Sequence, residues 1–159
     1  MRSIVTYGRR EPAPADPLPP DGFTETDSGP PVRLGTLLNG GLAPAILGIV
    51  DRGVRRRPEP ARTLRAEVEL TIEDGYPPVR IHFGEHEVLV EDGPGQRPDA
   101  RIQGSLTDLI ALMVSPAVGG VPLPVNSRGR AALGIMVSRR VKIEGSMTLV
   151  RRVLGVIRV

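Results

Sequence analysis

Apolar and polar side chains alternate most clearly between residues 64 and 104. Leu64, Ala66, Val68, Leu70 and Ile72 take turns with Arg65, Glu67, Glu69 and Thr71. That period of two predicts a strand with one apolar and one charged face. Val79, Ile81 and Phe83 repeat the pattern against Arg80 and His82. Residues 87–91, with Val88 and Val90 on the apolar side, predict a third strand, and residues 101–103, centred on Ile102, a fourth. Glu73-Asp74-Gly75 and Asp92-Gly93-Pro94-Gly95 read as turns between them. A sheet patterned this way is covered on one face and solvated on the other, as antiparallel sheets commonly are.

Helical spacing flanks this region. Val32, Leu34, Leu37 and Leu38 predict a short helix that Asn39-Gly40-Gly41 interrupts, and residues 45–55 resume with Ile46, Leu47, Ile49, Val50 and Val54. Arg55-Arg56-Arg57 suits a helix C-terminus, where cations complement the dipole. Pro58 and Pro60 are expected to end that helix. After the strands, Leu106, Leu109, Ile110 and Met113 share one face of a helix opening at Ser105. Residues 115–128 are rich in Pro and Gly and predict a loop; residues 130–137, with Met136, predict a short helix, and residues 140–144 the last strand. A final helix opens at Ser146, with Met147, Val150, Val153, Leu154 and Ile157 apolar and Arg151, Arg152 and Arg158 polar.

One short motif occurs twice. Arg101-Ile102-Gln103-Gly104-Ser105-Leu106-Thr107 and Lys142-Ile143-Glu144-Gly145-Ser146-Met147-Thr148 place a basic residue, Ile, Gly, Ser and Thr alike. Each copy predicts a strand turning directly into a helix. The Gly permits a tight turn or a close backbone approach, and the Ser accepts a hydrogen bond from the first helical turn. The order of elements predicts an α+β fold: a mainly antiparallel sheet of about five strands with helices packed on one face. Residues 1–31 hold seven Pro and are expected to form a flexible arm. Residues 32–159 are expected to form one domain, with N-terminal helices in 32–60, strands in 64–104, and helices plus the last strand in 105–159.

Composition narrows the chemistry. The only aromatics are Tyr7, Phe23, Tyr76 and Phe83, so the apolar interior is aliphatic. The absence of Cys excludes disulfides and thiolate metal sites. The longest apolar run, residues 42–50, is far short of the roughly 20 residues a membrane span needs. With no apolar core of a signal peptide near the start, a cytoplasmic protein is expected. The net charge of +3 conceals an asymmetry: residues 64–104 carry four Arg against nine Asp and Glu, residues 128–159 seven Arg and one Lys against one Glu. An anionic membrane suits that basic surface better than nucleic acid, because the basic region offers no aromatic side chain on which bases would stack. His82 and His86 flank a turn without a third metal ligand nearby. Ser105 and Ser146 stand where helix starts can hold anions, but capping accounts for them. Glu67 and Glu69 pair only on the solvated strand face. No nucleophile elbow, phosphate loop or dinucleotide fingerprint is present, so neither a catalytic residue nor a cofactor is expected.

Residues 64–157 resemble the sterol carrier protein type 2 family of lipid-binding domains. The pieces that carry the resemblance are Glu67-Val68-Glu69-Leu70 with Glu73-Asp74-Gly75, the stretch Pro98-Asp99-Ala100-Arg101-Ile102-Gln103-Gly104-Ser105-Leu106-Thr107-Asp108-Leu109, and Val141-Lys142-Ile143-Glu144-Gly145-Ser146. The resemblance implies a five-stranded sheet and an apolar tunnel, between sheet and helices, that accepts sterols, fatty acyl chains or isoprenoid lipids. The C-terminal helix would help close it. The strand residues that would face the tunnel are Val68, Leu70, Val79, Ile81, Phe83, Val88, Val90 and Ile102. The helix residues are Leu109, Ile110, Met113, Met136, Met147, Val150 and Leu154. The chain departs from the family at Arg139-Arg140, where Gly is common, and in a longer loop at 115–128. A non-catalytic lipid-binding or lipid-transfer protein is thus expected, its partner a hydrophobic lipid. The alternative is an accessory subunit with a filled core, partnering an enzyme of lipid or isoprenoid-quinone metabolism.

Pro116-Ala117-Val118-Gly119-Gly120-Val121-Pro122-Leu123-Pro124-Val125 carries no charge and precedes Arg128 and Arg130. As a lid making transient membrane contact, it would insert Val121 and Leu123 into the interface while Arg128, Arg130, Arg139 and Arg140 meet anionic headgroups. Replacing Val121 and Leu123 together with Asp is expected to weaken sedimentation with anionic vesicles while the circular dichroism spectrum stays unchanged. Undiminished vesicle binding would dismiss the lid.

Overall fold

The computed structural model describes residues 29–114, 117–118, 121–122, 127, 130, 134 and 140–158. Along these the chain runs β1 (Val32–Leu34), α1 (Ala43–Arg56), α2 (Pro58–Thr63), β2 (Ala66–Ile72), β3 (Val79–Phe83), β4 (Val88–Asp92), β5 (Ala100–Gly104), α3 (Leu106–Val114), β6 (Ala117–Val118), β7 (Val121–Pro122), β8 (Lys142–Gly145) and α4 (Met147–Ile157). The main sheet has six strands in the order β1-β4-β3-β2-β5-β8. β2, β3 and β4 form an antiparallel meander, and β8 lies antiparallel to β5. β1 runs parallel to β4, and β5 parallel to β2.

The expected mainly antiparallel sheet of about five strands is therefore corrected to a mixed sheet of six. Alternation reports which face a side chain occupies, not which way the neighbouring strand runs. After β4 the chain passes beyond β2 and enters β5 alongside it, so Val68 pairs with Ala100 and Leu70 with Ile102 in parallel register. The sixth strand is β1, where helical spacing alone predicts a short helix. Pro30-Pro31 before it and Gly35 after it disfavour a helix. The free edge of β4 supplies partners instead: Val88 N–H donates to Pro31 O at 2.9 Å and Gly35 N–H to Val90 O at 2.9 Å. Two smaller corrections follow. α1 ends at Arg56, as expected of Pro58 and Pro60, but an unexpected second helix, α2, starts directly at Pro58, where the missing N–H costs nothing. The expected loop at 115–128 contains a hairpin, Ala117 opposite Pro122 and Val118 opposite Val121.

Both copies of the repeated motif turn a strand into a helix. Ser105 Oγ accepts from Asp108 N–H at 3.2 Å and Ser146 Oγ from Leu149 N–H at 3.3 Å. The two glycines serve different needs. Gly145 has φ +95°, and a Cβ there would meet Asp99 O at 2.3 Å. Gly104 instead gives room to Val141, whose Cγ2 would be 3.1 Å from a Cβ. Helix α1 begins without a cap of its own. The buried carboxylate of Asp92, at the end of β4, substitutes by accepting from Ala43 N–H at 2.9 Å and Leu38 N–H at 3.1 Å. An acidic group at that end also complements the helix dipole.

The inner face of the sheet is apolar throughout: Val68, Leu70, Val79, Ile81, Phe83, Val88, Val90 and Ile102 are all buried beneath the helices. On the outer face the register aligns one row of alternating charge across five strands, Glu91, Arg80, Glu69, Arg101 and Glu144. Arg80 pairs with Glu91, Arg101 Nε lies 2.7 Å from Glu69 Oε1, and Arg101 Nη1 3.5 Å from Glu144 Oε2. Glu69, expected on a solvated face, is only 5% exposed because the turn after β4 folds over it and Gly95 N–H donates to its Oε2 at 2.8 Å. Burial raises the Glu69 carboxyl pKa, but hydrogen bonds from Arg101, Gly95 and Thr71 together outweigh it and leave the pKa below the ordinary value.

A carboxyl with a lowered folded-state pKa adds stability that is fully present above the unfolded glutamate value, about 4.3, and is lost as pH falls through the lower folded value. In urea titrations between pH 6 and pH 2.5, the wild type should therefore lose more stability on acidification than Glu69→Gln. Parallel acid profiles for the two would show that Glu69 makes no such contribution.

Candidate functional site

The repeated strand–helix units lay α3 and α4 over β5, and these two helices meet the sheet along an apolar seam. Val68, Leu70, Ile81 and Ile102 form its floor; Leu109, Leu112 and Met113 of α3 and Val153, Leu154 and Ile157 of α4 form its roof. Every lining side chain is apolar, so nothing there can bind a metal or move a proton. The enclosed space is about 10 Å³, room for about one water molecule and far less than a lipid chain needs.

Seven residues expected to line a tunnel meet in this seam: Val68, Leu70, Ile81, Ile102, Leu109, Met113 and Leu154. Val79, Phe83, Val88, Val90 and Val150 are buried in the same core but do not line the space. Ile110 and Met147 lie on outer surfaces, 38% and 45% exposed. Leu112, Val153 and Ile157 line the seam although sequence reasoning did not place them there. The face of α3 that turns inward is Asp108, Leu109, Leu112 and Met113. Apolar residues cover both sides of this helix, so spacing alone cannot choose a face. The buried Asp108 carboxylate, 3.0 Å from Arg140 Nη2, accompanies the inward turn. Arg140 thus has a partner within the fold. Arg130 is exposed. Met136, Leu123, Arg128 and Arg139 lie outside the described residues, and of Val121 only the pairing with Val118 is defined.

The opposite side of α4 borders a much larger space. A surface cleft of about 710 Å³ separates α4 from α2, within the range of small-molecule sites. Thr148, Arg151, Arg152 and Gly155 form its α4 wall, at the spacing of one helix face. Pro60 and Thr63 of α2 stand opposite, the buried Leu64 and Val156 lie at its base, and Arg57 spans the gap by donating to Gly155 O. The stripe on α4 is visible in the sequence, but what faces it is not.

Arg158, expected to point outward, is 3% exposed. Its Nε donates to Leu112 O at 3.0 Å, while its two terminal nitrogens have no hydrogen-bond partner among the described residues. Burial, and secondarily the nearby Arg57 charge, lowers its pKa to about 10, so it remains cationic at neutral pH. The histidines hold no metal constellation: His82 Nδ1 is 3.8 Å from Glu67 Oε2, and no group of three potential ligands occurs among the described residues. No helix among them is long and apolar enough to cross a membrane.

No family model and no curated protein sequence matches the chain. Solved structures do. A "UbiJ-SCP2 Ubiquinone synthesis protein" superposes with a TM-score of 0.52 at 14% identity, over 73% of this chain and 88% of the other. The sterol carrier protein domain 2 of Helicoverpa armigera superposes with a TM-score of 0.52 at 13% identity, over 73% of this chain and 84% of its own. The chain has a sterol-carrier-protein-2-like fold.

The tight seam has a measurable consequence. Leu154→Ala should cost about 2–5 kcal/mol in urea unfolding, as for other large-to-small changes in closed cores. Met147→Ala, on the outer face, should change stability by no more than about 0.5 kcal/mol. Similar values for the two would mean that the seam is not packed as described.

Proposed function

We propose that this protein is a non-catalytic lipid-binding protein that takes an apolar chain into the seam between its sheet and the α3–α4 layer. The observation that carries this is the wholly aliphatic lining of the seam, on a fold shared with sterol carrier protein domains. An acyl, sterol-like or isoprenoid ligand would be held by desolvation alone. Ten buried methylenes supply a gross gain of about 8 kcal/mol at 0.8 per methylene, before the costs of ordering chain and protein. A seam of about 10 Å³ requires α3 and α4 to move away from the sheet as the lipid enters. Met113 helps, since its unbranched side chain adapts to irregular apolar surfaces.

That same closed seam favours a second reading, an accessory subunit with a filled core that supports an enzyme of lipid or isoprenoid-quinone metabolism. The name of one structural neighbour, a ubiquinone synthesis protein, points the same way. Loading separates the two. Protein purified from its native host is weighed intact by gentle-ionisation mass spectrometry and again after organic extraction. A lipid near one per chain is the expected result. No retained lipid, together with no uptake of fluorescent acyl or sterol probes, would reject the container and turn the search to protein partners.

A further inference from the structure

The cleft between α2 and α4 is separate from the seam and has a different chemistry. Its apolar surface comes from Pro60 and the methylene stems of the arginines, over a base of the buried Leu64 and Val156, and its charge from Arg57, Arg151 and Arg152. The one carboxylate on its wall, Glu59, is engaged by Arg62. Among the described residues, none of the three cleft arginines forms an ion pair. Arg57 donates to the neutral Gly155 carbonyl and keeps its full charge. Three uncompensated guanidiniums around an apolar hollow are unfavourable to one another, and they suit a ligand that is itself part apolar and part anionic. Guanidinium also binds phosphate and carboxylate in a bidentate manner that an ammonium cannot match. Behind the cleft, the buried Arg158 feels the Arg57 charge, so an anion beside Arg57 would relieve that repulsion too.

We propose that this cleft is a binding site for the anionic headgroup of an amphiphile, with the phosphate or carboxylate on Arg57, Arg151 and Arg152 and the adjoining hydrocarbon against Pro60 and the methylene stems of those arginines. The shared chemistry can be presented by a free amphiphile or by a lipid within a bilayer. The cleft lies on the outer side of α4 and does not require the seam to open.

Isothermal titration calorimetry with monododecyl phosphate below its aggregation concentration tests the site, with inorganic phosphate and dodecyl maltoside as headgroup-only and chain-only probes. The wild type should bind dodecyl phosphate at least about tenfold tighter than either control, since each charge-assisted hydrogen bond and buried methylene adds to the whole. Arg151→Gln with Arg152→Gln should weaken that binding by about tenfold or more without changing Tm, because both side chains are exposed on α4. In parallel, the same pair of proteins is sedimented with phosphatidylcholine vesicles with and without phosphatidylglycerol. A loss confined to the anionic vesicles supports the site with the bilayer as the source of the headgroup. Equal affinity of the double variant and the wild type in both assays overturns the proposal, as does inorganic phosphate or dodecyl maltoside binding as tightly as dodecyl phosphate. Lipid co-purification is scored independently, so an empty seam and a failed cleft are distinguishable.

Discussion

Helix α4 comes close to α1 because residue 53 is glycine. A Cβ at Gly53 would stand 2.5 Å from Val156 O and 2.6 Å from Ile157 Cα, well inside van der Waals contact. Any side chain there would push α4 outward. The approach bears on both the seam and the cleft. Val153, Leu154 and Ile157 press onto the sheet and leave the seam almost no volume, while the reverse side of the helix forms one wall of the cleft facing α2. One helix thus separates an apolar interior from a basic surface hollow.

The sheet beneath is stabilised differently on its two faces. Inside, aliphatic side chains from four adjacent strands pack against the helices. Outside, the register places acid beside base across five strands. Cross-strand pairs of opposite charge each add a modest amount, and like charges in those positions would subtract it. Two of the nine acidic residues of 64–104 belong to this row: Glu91 is a partner of Arg80 and Glu69 of Arg101, with Glu69 buried among its donors. Asp92 does similar work at the opposite edge, tying the end of β4 to the start of α1.

Much of the fold was legible in local patterns. Strands β2 to β5, the helices at Ala43–Arg56 and Met147–Ile157, and both serine caps follow from period, punctuation and side-chain chemistry. The strand at Val32–Leu34 was not legible, because its conformation depends on hydrogen-bond partners some 55 residues away on β4. The inward face of α3 was ambiguous for a related reason. Leu109, Ile110 and Leu112 have similar chemistry, and only contact with β5, α4 and Arg140 distinguishes those that are buried from Ile110, which is not. Seven of the expected tunnel residues converge because alternation identifies one sheet face correctly, whereas the volume between layers is a property of packing.

Local sequence determined which segments alternate, which faces are apolar and where helices are capped, because those properties arise from interactions within a few residues along the chain. Tertiary structure alone decided that the sheet is mixed, that Arg158 is enclosed, that the seam is closed and that Arg57 meets Arg151 and Arg152 around a cleft. Each of these depends on the distance between elements far apart in sequence, and that distance is set by close packing, with a missing Cβ at Gly53 as its clearest case.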